Sequence, residues 1–265
     1  YLDGPTNIEI KKYYKKSDGF TFNPSLFKKL GVKNYLAYTK KLLKLTKNKP
    51  ISIEVFADNE QDCYNQALKI HKINKNIFVK IPITYTNGKS TKNLIKRLSN
   101  ENIRLNITAI FSLDQIKDIH SSLSNKKHIL SIFSGRIYDI GIDASLQFIR
   151  MSNYIRKKTK CASLWASCRM PYDLIAAKKS GADIITMPVS LFEKTKKFGT
   201  KPKLSSLETV KGFYIDAKKA KFKKKDKNFD KNTKFSKNCL NVANYQPLKR
   251  SGFMILKFLT SPIIF

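Results

Sequence analysis

With 265 residues, 42% of them hydrophobic, the chain can bury a sizeable core, so it folds as one large α/β domain or two ordinary ones and wholesale disorder is excluded. Its formal charge of +33 attracts phosphate backbones in general, yet only seven of the 52 basic residues are arginine and the lysines run along the whole chain, so a nucleic-acid partner is not expected. The longest apolar runs, near Ile51 and Ile129, are far too short to cross a bilayer, and no membrane partner is expected either.

From the first residue, short apolar runs alternate with longer amphipathic stretches. Tyr1 to Asp3 reads as a strand and Ile8 to Lys15 as a helix; Gly19 to Asn23 follows as strand and Pro24 to Leu45 as helix. Strands at Ile51 to Ala57, Ile77 to Ile83 and Arg104 to Ile110 are each followed by a helix, at Gln61 to Lys72, Thr91 to Leu98 and Leu113 to Leu123. Strands at His128 to Phe133 and Ala162 to Ser167 precede helices at Ala144 to Lys157 and Pro171 to Lys179. A last strand, Asp183 to Val189, leads into a helix from Leu191 onward. Eight repeats of strand then helix predict an α/β fold, a closed (β/α)8 TIM barrel rather than an open sheet. The barrel domain is expected over residues 1–219. Residues 220–265 are the remainder, a C-terminal extension whose lysines crowd together from Lys218 to Lys237, as in a basic tail that is flexible or peripherally docked.

Successive strand residues point to opposite faces, so each strand divides into two sets. One is oily: Leu2, Phe20, Phe22, Ile53, Val55, Val79, Ile81, Leu105, Ile107, Leu130, Ile132, Leu164 and Ala166. The other holds Asp3, Thr21, Asn23, Glu54, Lys80, Asn106, Thr108, Ser131 and Ser167, with Arg169 just beyond. Barrel interiors are normally filled by branched aliphatics, and unpaired acids or lysines are costly to bury there. Polar groups near the carboxyl ends of so many strands therefore predict one wet catalytic pocket at the barrel mouth.

Lys80 interrupts the apolar stretch Phe78-Val79-Lys80-Ile81-Pro82, where burial favours an uncharged amine able to attack a carbonyl and form an imine; pairing with Glu54 is the bland alternative. Asp3 and Glu54 are the only acids of the inward set and can move the protons that carbon–carbon cleavage beside an imine requires. Thr108 with Glu54 can hold a water, and Asn23, Asn106 and Ser131 offer neutral hydrogen bonds to hydroxyls, although capping is as good a reading for any one of them. Arg136 and Arg169 directly follow strands, and with Ser167 they suit a phosphate; an ion pair with Asp139 or Asp173 competes for each. His71, His120 and His128 fall off this face, and the four cysteines, Cys63, Cys161, Cys168 and Cys239, fit no disulfide or zinc spacing, so reduced thiols and no metal or other cofactor are expected. No charged-then-apolar leader is visible, which points to a cytoplasmic protein, and the start at Tyr1 suggests that a residue or two precedes it.

The stretches Gly19-Phe20-Thr21-Phe22-Asn23-Pro24-Ser25-Leu26, Ile53-Glu54-Val55-Phe56-Ala57, Val79-Lys80-Ile81-Pro82, Leu105-Asn106-Ile107-Thr108-Ala109, Ser131-Ile132-Phe133-Ser134-Gly135-Arg136 and Trp165-Ala166-Ser167-Cys168-Arg169 resemble the transaldolase family, in order, over about four fifths of the chain. The resemblance implies a Schiff base on Lys80, acid/base work by Asp3, and a catalytic water held by Glu54 and Thr108. It implies that Thr21, Asn23, Asn106, Ser131 and Phe133 bind a dihydroxyacetone unit and that Arg136, Ser167 and Arg169 take a phosphate. The implied partners are sugar phosphates: the unit passes from sedoheptulose 7-phosphate or fructose 6-phosphate to glyceraldehyde 3-phosphate or erythrose 4-phosphate, in the non-oxidative pentose phosphate pathway. A homo-oligomer is a further implication. The related fructose-6-phosphate aldolases carry glutamine at the position of Glu54 and tyrosine at that of Phe133, which favours the transferase over the aldolase. The family's usual threonine is replaced by Phe22, expected to pack outward, and the likeness ends near Phe222. A more remote alternative is an inert barrel bearing a nucleic-acid-binding tail.

Overall fold

The computed structural model describes residues 1–47, 49–123 and 127–220; the expectations for the lysine-rich extension and Cys239 lie outside the described residues. Packing divides the chain at Gly199, with the barrel in Tyr1–Gly199 and a second unit beginning at Thr200.

In chain order the barrel unit runs β1 (Leu2–Asp3), α1 (Asn7–Tyr13), β2 (Phe20–Thr21), α2 (Pro24–Lys29), α3 (Tyr35–Thr46), β3 (Ile51–Glu54), α4 (Glu60–Ile73), β4 (Ile77–Pro82), α5 (Lys92–Asn100), β5 (Leu105–Ile110) and α6 (Leu113–Ile119). It continues with β6 (Ile129–Ile132), α7 (Ser134–Asp139), α8 (Ala144–Lys158), β7 (Ala162–Trp165), α9 (Asp173–Lys179), β8 (Ile184–Ile185), β9 (Met187–Pro188) and α10 (Val189–Lys194); α11 (Pro202–Lys219) belongs to the second unit. All strand pairs are parallel, in the order β8-β7-β6-β5-β4-β3-β2-β1-β9. The two ends of that order are consecutive in the chain. β8 pairs with β7 and β9 with β1, and between them the Thr186 N–H reaches the Trp165 carbonyl at 3.0 Å, so the eighth stave changes neighbours at Thr186 and closes the (β/α)8 barrel.

Local chemistry explains most element ends. Thr6 with Glu9, and Ser112 with Gln115, form capping boxes; Asn23, Asn34 and Asn59 each accept a backbone N–H of the first turn that they precede. The expected helix from Pro24 to Leu45 is in fact two. Gly31 takes a left-handed backbone (φ 68°), and its N–H and that of Val32 bond back to the carbonyls of Lys28 and Phe27, a Schellman stop that ends α2 before Asn34 starts α3. The amphipathic reading missed it because apolar spacing continued across the break. α7, also unforeseen, is a short helix of six residues after β6.

The core lies mainly between strands and helices, where Phe20, Phe22, Ile53, Val79, Ile107 and Trp165 are buried. Phe22 packs on Phe27 of α2 at 5.4 Å between centroids, the outward packing expected of it. A smaller cluster fills the barrel axis: Ile129, Leu164 and Ala166 against Tyr1, Phe78, Phe133 and Ile184. This corrects the parity of one strand. Register pairs Ser131 with Leu164 and Ile132 with Trp165, so Leu164 and Ala166 face inward and Trp165 faces the helices, where it stacks on Phe148. Apolar residues occupy both faces of β7, so alternation alone could not orient it. No helix among the described residues is long and apolar enough to cross a membrane.

Candidate active site at the carboxyl end of the barrel

β3, β4 and β5 run in register, placing Glu54 beside Lys80 and Lys80 beside Asn106, all on the inner face. Lys80 is 5% exposed, and its Nζ lies 2.9 Å from Glu54 Oε2. It therefore pairs with Glu54 and does not reach out to solvent. Taking one partner away would strand the other in a poorly solvated interior, so the pair holds both groups in place. The Tyr35 hydroxyl donates to the Glu54 carbonyl oxygen at 2.5 Å, fixing the strand end that carries the carboxylate; burial and then the Glu54 charge hold that phenol above its usual range.

Asp3 reaches the same cavity from β1. Its Oδ1 accepts from the Thr21 hydroxyl at 2.6 Å, and Thr21 lies 2.7 Å from Thr186, whose hydroxyl is left to donate. Burial pushes the Asp3 carboxyl above the ordinary value of 3.8; the Lys80 charge and the Thr21 hydrogen bond oppose burial without cancelling it. Asp3 thus releases its proton less readily than an exposed carboxyl does. A second chain of bonds crosses the barrel: Ser131 Oγ donates to Asn106 Oδ1 at 2.6 Å, and Asn106 Nδ2 donates to Ser52 Oγ at 3.1 Å. Thr108 differs. Its Oγ1 is buried with no hydrogen-bond partner, an arrangement that costs free energy unless a water or substrate oxygen completes it.

These groups line a cavity of about 240 Å³ that brings together Asp3, Thr21, Asn23, Lys80, Asn106, Thr108, Ser131, Phe133, Arg136, Ser167 and Arg169. Of the residues singled out from sequence, Glu54 alone opens elsewhere, onto a neighbouring cavity of about 380 Å³ bounded by Asp58, Thr84 and Tyr85. Asn23 caps α2 with its oxygen, as the bland reading allowed, while still lining the site. Arg169 is committed: its Nε and Nη2 hold Asp139 at 2.5 to 3.2 Å, and buried Asp173 accepts the Arg169 and Met170 backbone N–H groups and the Trp165 indole N–H. Arg136 lies over the Phe133 ring at 5.5 Å and has no ion pair among the described residues.

Two backbone devices shape the mouth. Ala109 (φ 60°) and Ser167 (φ 62°) are left-handed without being glycine, a strain typical of functional sites. Ser167 therefore turns into the cavity although simple alternation after Leu164 and Ala166 would turn it away. Gly135 lies so close to Ser167 that a Cβ there would sit 1.7 Å from the Ser167 carbonyl oxygen, so only glycine fits. Sequence reading also missed Thr186 and Lys29, both on the cavity wall. Thr186 was legible as the polar inward residue of the last strand. Lys29 follows from the turn geometry of α2, which strand alternation does not see.

His128 is a core residue: its Nδ1 accepts the Leu105 N–H, leaving Nε2–H for Ser99 Oγ at 2.9 Å. No group of three His, Cys, Asp or Glu side chains able to hold a metal occurs among the described residues.

Fold and site together define a (β/α)8 barrel with a lysine–carboxylate centre at its carboxyl end. The sequence comparisons narrow that class. Residues 1–240 match the model of the family described as Transaldolase/Fructose-6-phosphate aldolase, and the chain belongs to that family. It is 36% identical over 202 residues to a protein of Thermoplasma volcanium named "Probable transaldolase", covering 73% of this chain and 85% of the relative. A protein of the same name from Nitrosopumilus maritimus is 31% identical over 229 residues, 82% of this chain and 98% of the relative. Among solved structures, an enolase-superfamily member from Agrobacterium tumefaciens shares the fold alone, with a TM-score of 0.53 at 11% identity over 74% of this chain and 51% of that one.

Proposed function

We propose that this chain is a transaldolase that moves a dihydroxyacetone unit from sedoheptulose 7-phosphate or fructose 6-phosphate to glyceraldehyde 3-phosphate or erythrose 4-phosphate, as in the non-oxidative pentose phosphate pathway. The observation that carries the reading is a buried lysine, 2.9 Å from Glu54, opening into a cavity that Asp3 also lines. Lys80 gives a proton to Glu54 and its Nζ attacks the ketose carbonyl carbon; the carbinolamine then loses water, with Asp3 and Glu54 moving the protons. Asp3 accepts the proton of the substrate hydroxyl as the adjacent carbon–carbon bond breaks, the aldose phosphate leaves, and the electron pair stays on the fragment as an enamine. That enamine attacks a second aldose phosphate, Asp3 returns the proton, and a water seated between Glu54 and the partnerless Thr108 hydroxyl hydrolyses the imine.

Borohydride added with fructose 6-phosphate is expected to fix the donor fragment covalently on Lys80, read by peptide mass spectrometry. Absence of that adduct, or its appearance on another lysine, defeats the proposal. Release of free dihydroxyacetone when no acceptor is supplied would assign the chain to the aldolase branch of its family.

A further inference from the structure

Four basic side chains line the site cavity: Lys29, Lys80, Arg136 and Arg169. Two are already balanced, Lys80 by Glu54 at 2.9 Å and Arg169 by Asp139 at 2.5 Å. Among the described residues neither Lys29 nor Arg136 has an ion pair. A phosphate monoester carries between one and two negative charges near neutral pH, and in a partly desolvated mouth one free guanidinium leaves it under-compensated.

We infer that Lys29 is a phosphate-binding residue of this site, which together with Arg136 supplies the uncompensated positive charge that a sugar-phosphate dianion meets. This inference rests on the sugar-phosphate reading proposed above. The placement of Lys29 is built in. Asn23 and Pro24 start α2, Gly31 and Val32 stop it, and buried Phe27 sets its rotation. With Phe27 held in the core, Leu26 and Lys29, three residues apart and on one face of the helix, line the cavity, whereas Lys28 borders a separate groove with Phe27 and Val32. α2 follows β2 and Arg136 follows β6, four staves away, so the two uncompensated cations approach the mouth from opposite sides. The charge of Lys29 also acts on Asp3.

The test is titration calorimetry with inorganic phosphate at low ionic strength, which requires no turnover, alongside borohydride trapping with unphosphorylated dihydroxyacetone, which requires no phosphate. Lys29→Met is expected to weaken phosphate binding about tenfold or more, Lys29→Arg to recover most of it, and Lys28→Met, which removes the same charge next door, to bind like the parent. Equal affinity in the parent and Lys29→Met, an equal loss in Lys28→Met, or no phosphate binding by the parent overturns the assignment. Phosphate binding that depends on Lys29 in a protein that traps no dihydroxyacetone would keep Lys29 as an anion residue and reject the transferase reading.

Discussion

The two halves of the barrel interior are made by the same strands and differ by two residues along each. Toward the amino ends, Tyr1, Phe78, Ile129 and Ile184 gather around Leu164 and close the axis with apolar packing. One step of about 6.6 Å further along, with the same facing, the residues are Asp3, Lys80, Ser131 and Thr186. At these four staves the lower layer obeys the ordinary rule of cores, whereas β3 carries the buried, hydrogen-bonded Ser52 at that height. The upper layer breaks it at these four staves, while β7 keeps the apolar Ala166 there, and the polar groups at this end are either tied to a neighbour, as in Thr186–Thr21–Asp3 and Ser131–Asn106–Ser52, or left open like Thr108. Stability and chemistry are thus separated along the strand direction, so a substitution is expected to affect one or the other according to its height in the barrel.

Lys80→Ala is the sharpest break in the upper layer: turnover should fall at least about a thousandfold in a coupled assay, with loss of borohydride trapping. A variant that keeps its activity would remove Lys80 from the chemistry. Asp3→Asn is expected to cost about 100- to 10,000-fold in rate while making the protein harder to unfold at neutral pH. The sign follows from burial. Because the folded-state carboxyl lies above 3.8, the folded chain holds a proton through a pH range in which the unfolded chain has released it, so stability falls as pH rises through that range and the penalty is complete above it. Asparagine escapes the penalty, and its advantage should shrink as pH falls toward 3.8; thermal melts of both proteins across pH read the crossover. In the lower layer, Leu164→Ala should cost about 2–5 kcal/mol in urea unfolding, since Leu164 is fully buried, yet preserve trapping on Lys80. The smallest effect belongs to Thr108→Val. Removing a hydroxyl with no partner should leave stability unchanged or raise it by about 1 kcal/mol, while release of product from the imine slows about tenfold in single-turnover measurements. A rate unchanged by this substitution would mean that Thr108 holds no water.

Much of this organisation was legible in the chain. Alternation in β1 to β6 sorts Asp3, Thr21, Glu54, Lys80, Asn106, Thr108 and Ser131 onto one face, and the parallel register sets these strands side by side, with Glu54 alone opening onto the neighbouring cavity. Alternation does not orient β7, because apolar side chains sit on both of its faces, and Ser167 enters the pocket through a left-handed backbone and not through alternation. The break in the Pro24 to Leu45 helix depended on a single left-handed glycine inside an uninterrupted apolar rhythm, and Lys29 became visible only once that break set the end of α2.

Strand periodicity and residue type are local properties, so the primary structure by itself determined the barrel, the face on which the polar residues collect and the lysine at their centre. Pairings between distant groups depend on how staves and helices meet in space. That Glu54 rather than open solvent balances Lys80, that Asp139 occupies Arg169, and that Lys29 and Arg136 line one cavity were decided by the tertiary structure alone, because Coulomb and hydrogen-bond partners are chosen by distance in the fold and not by spacing along the chain.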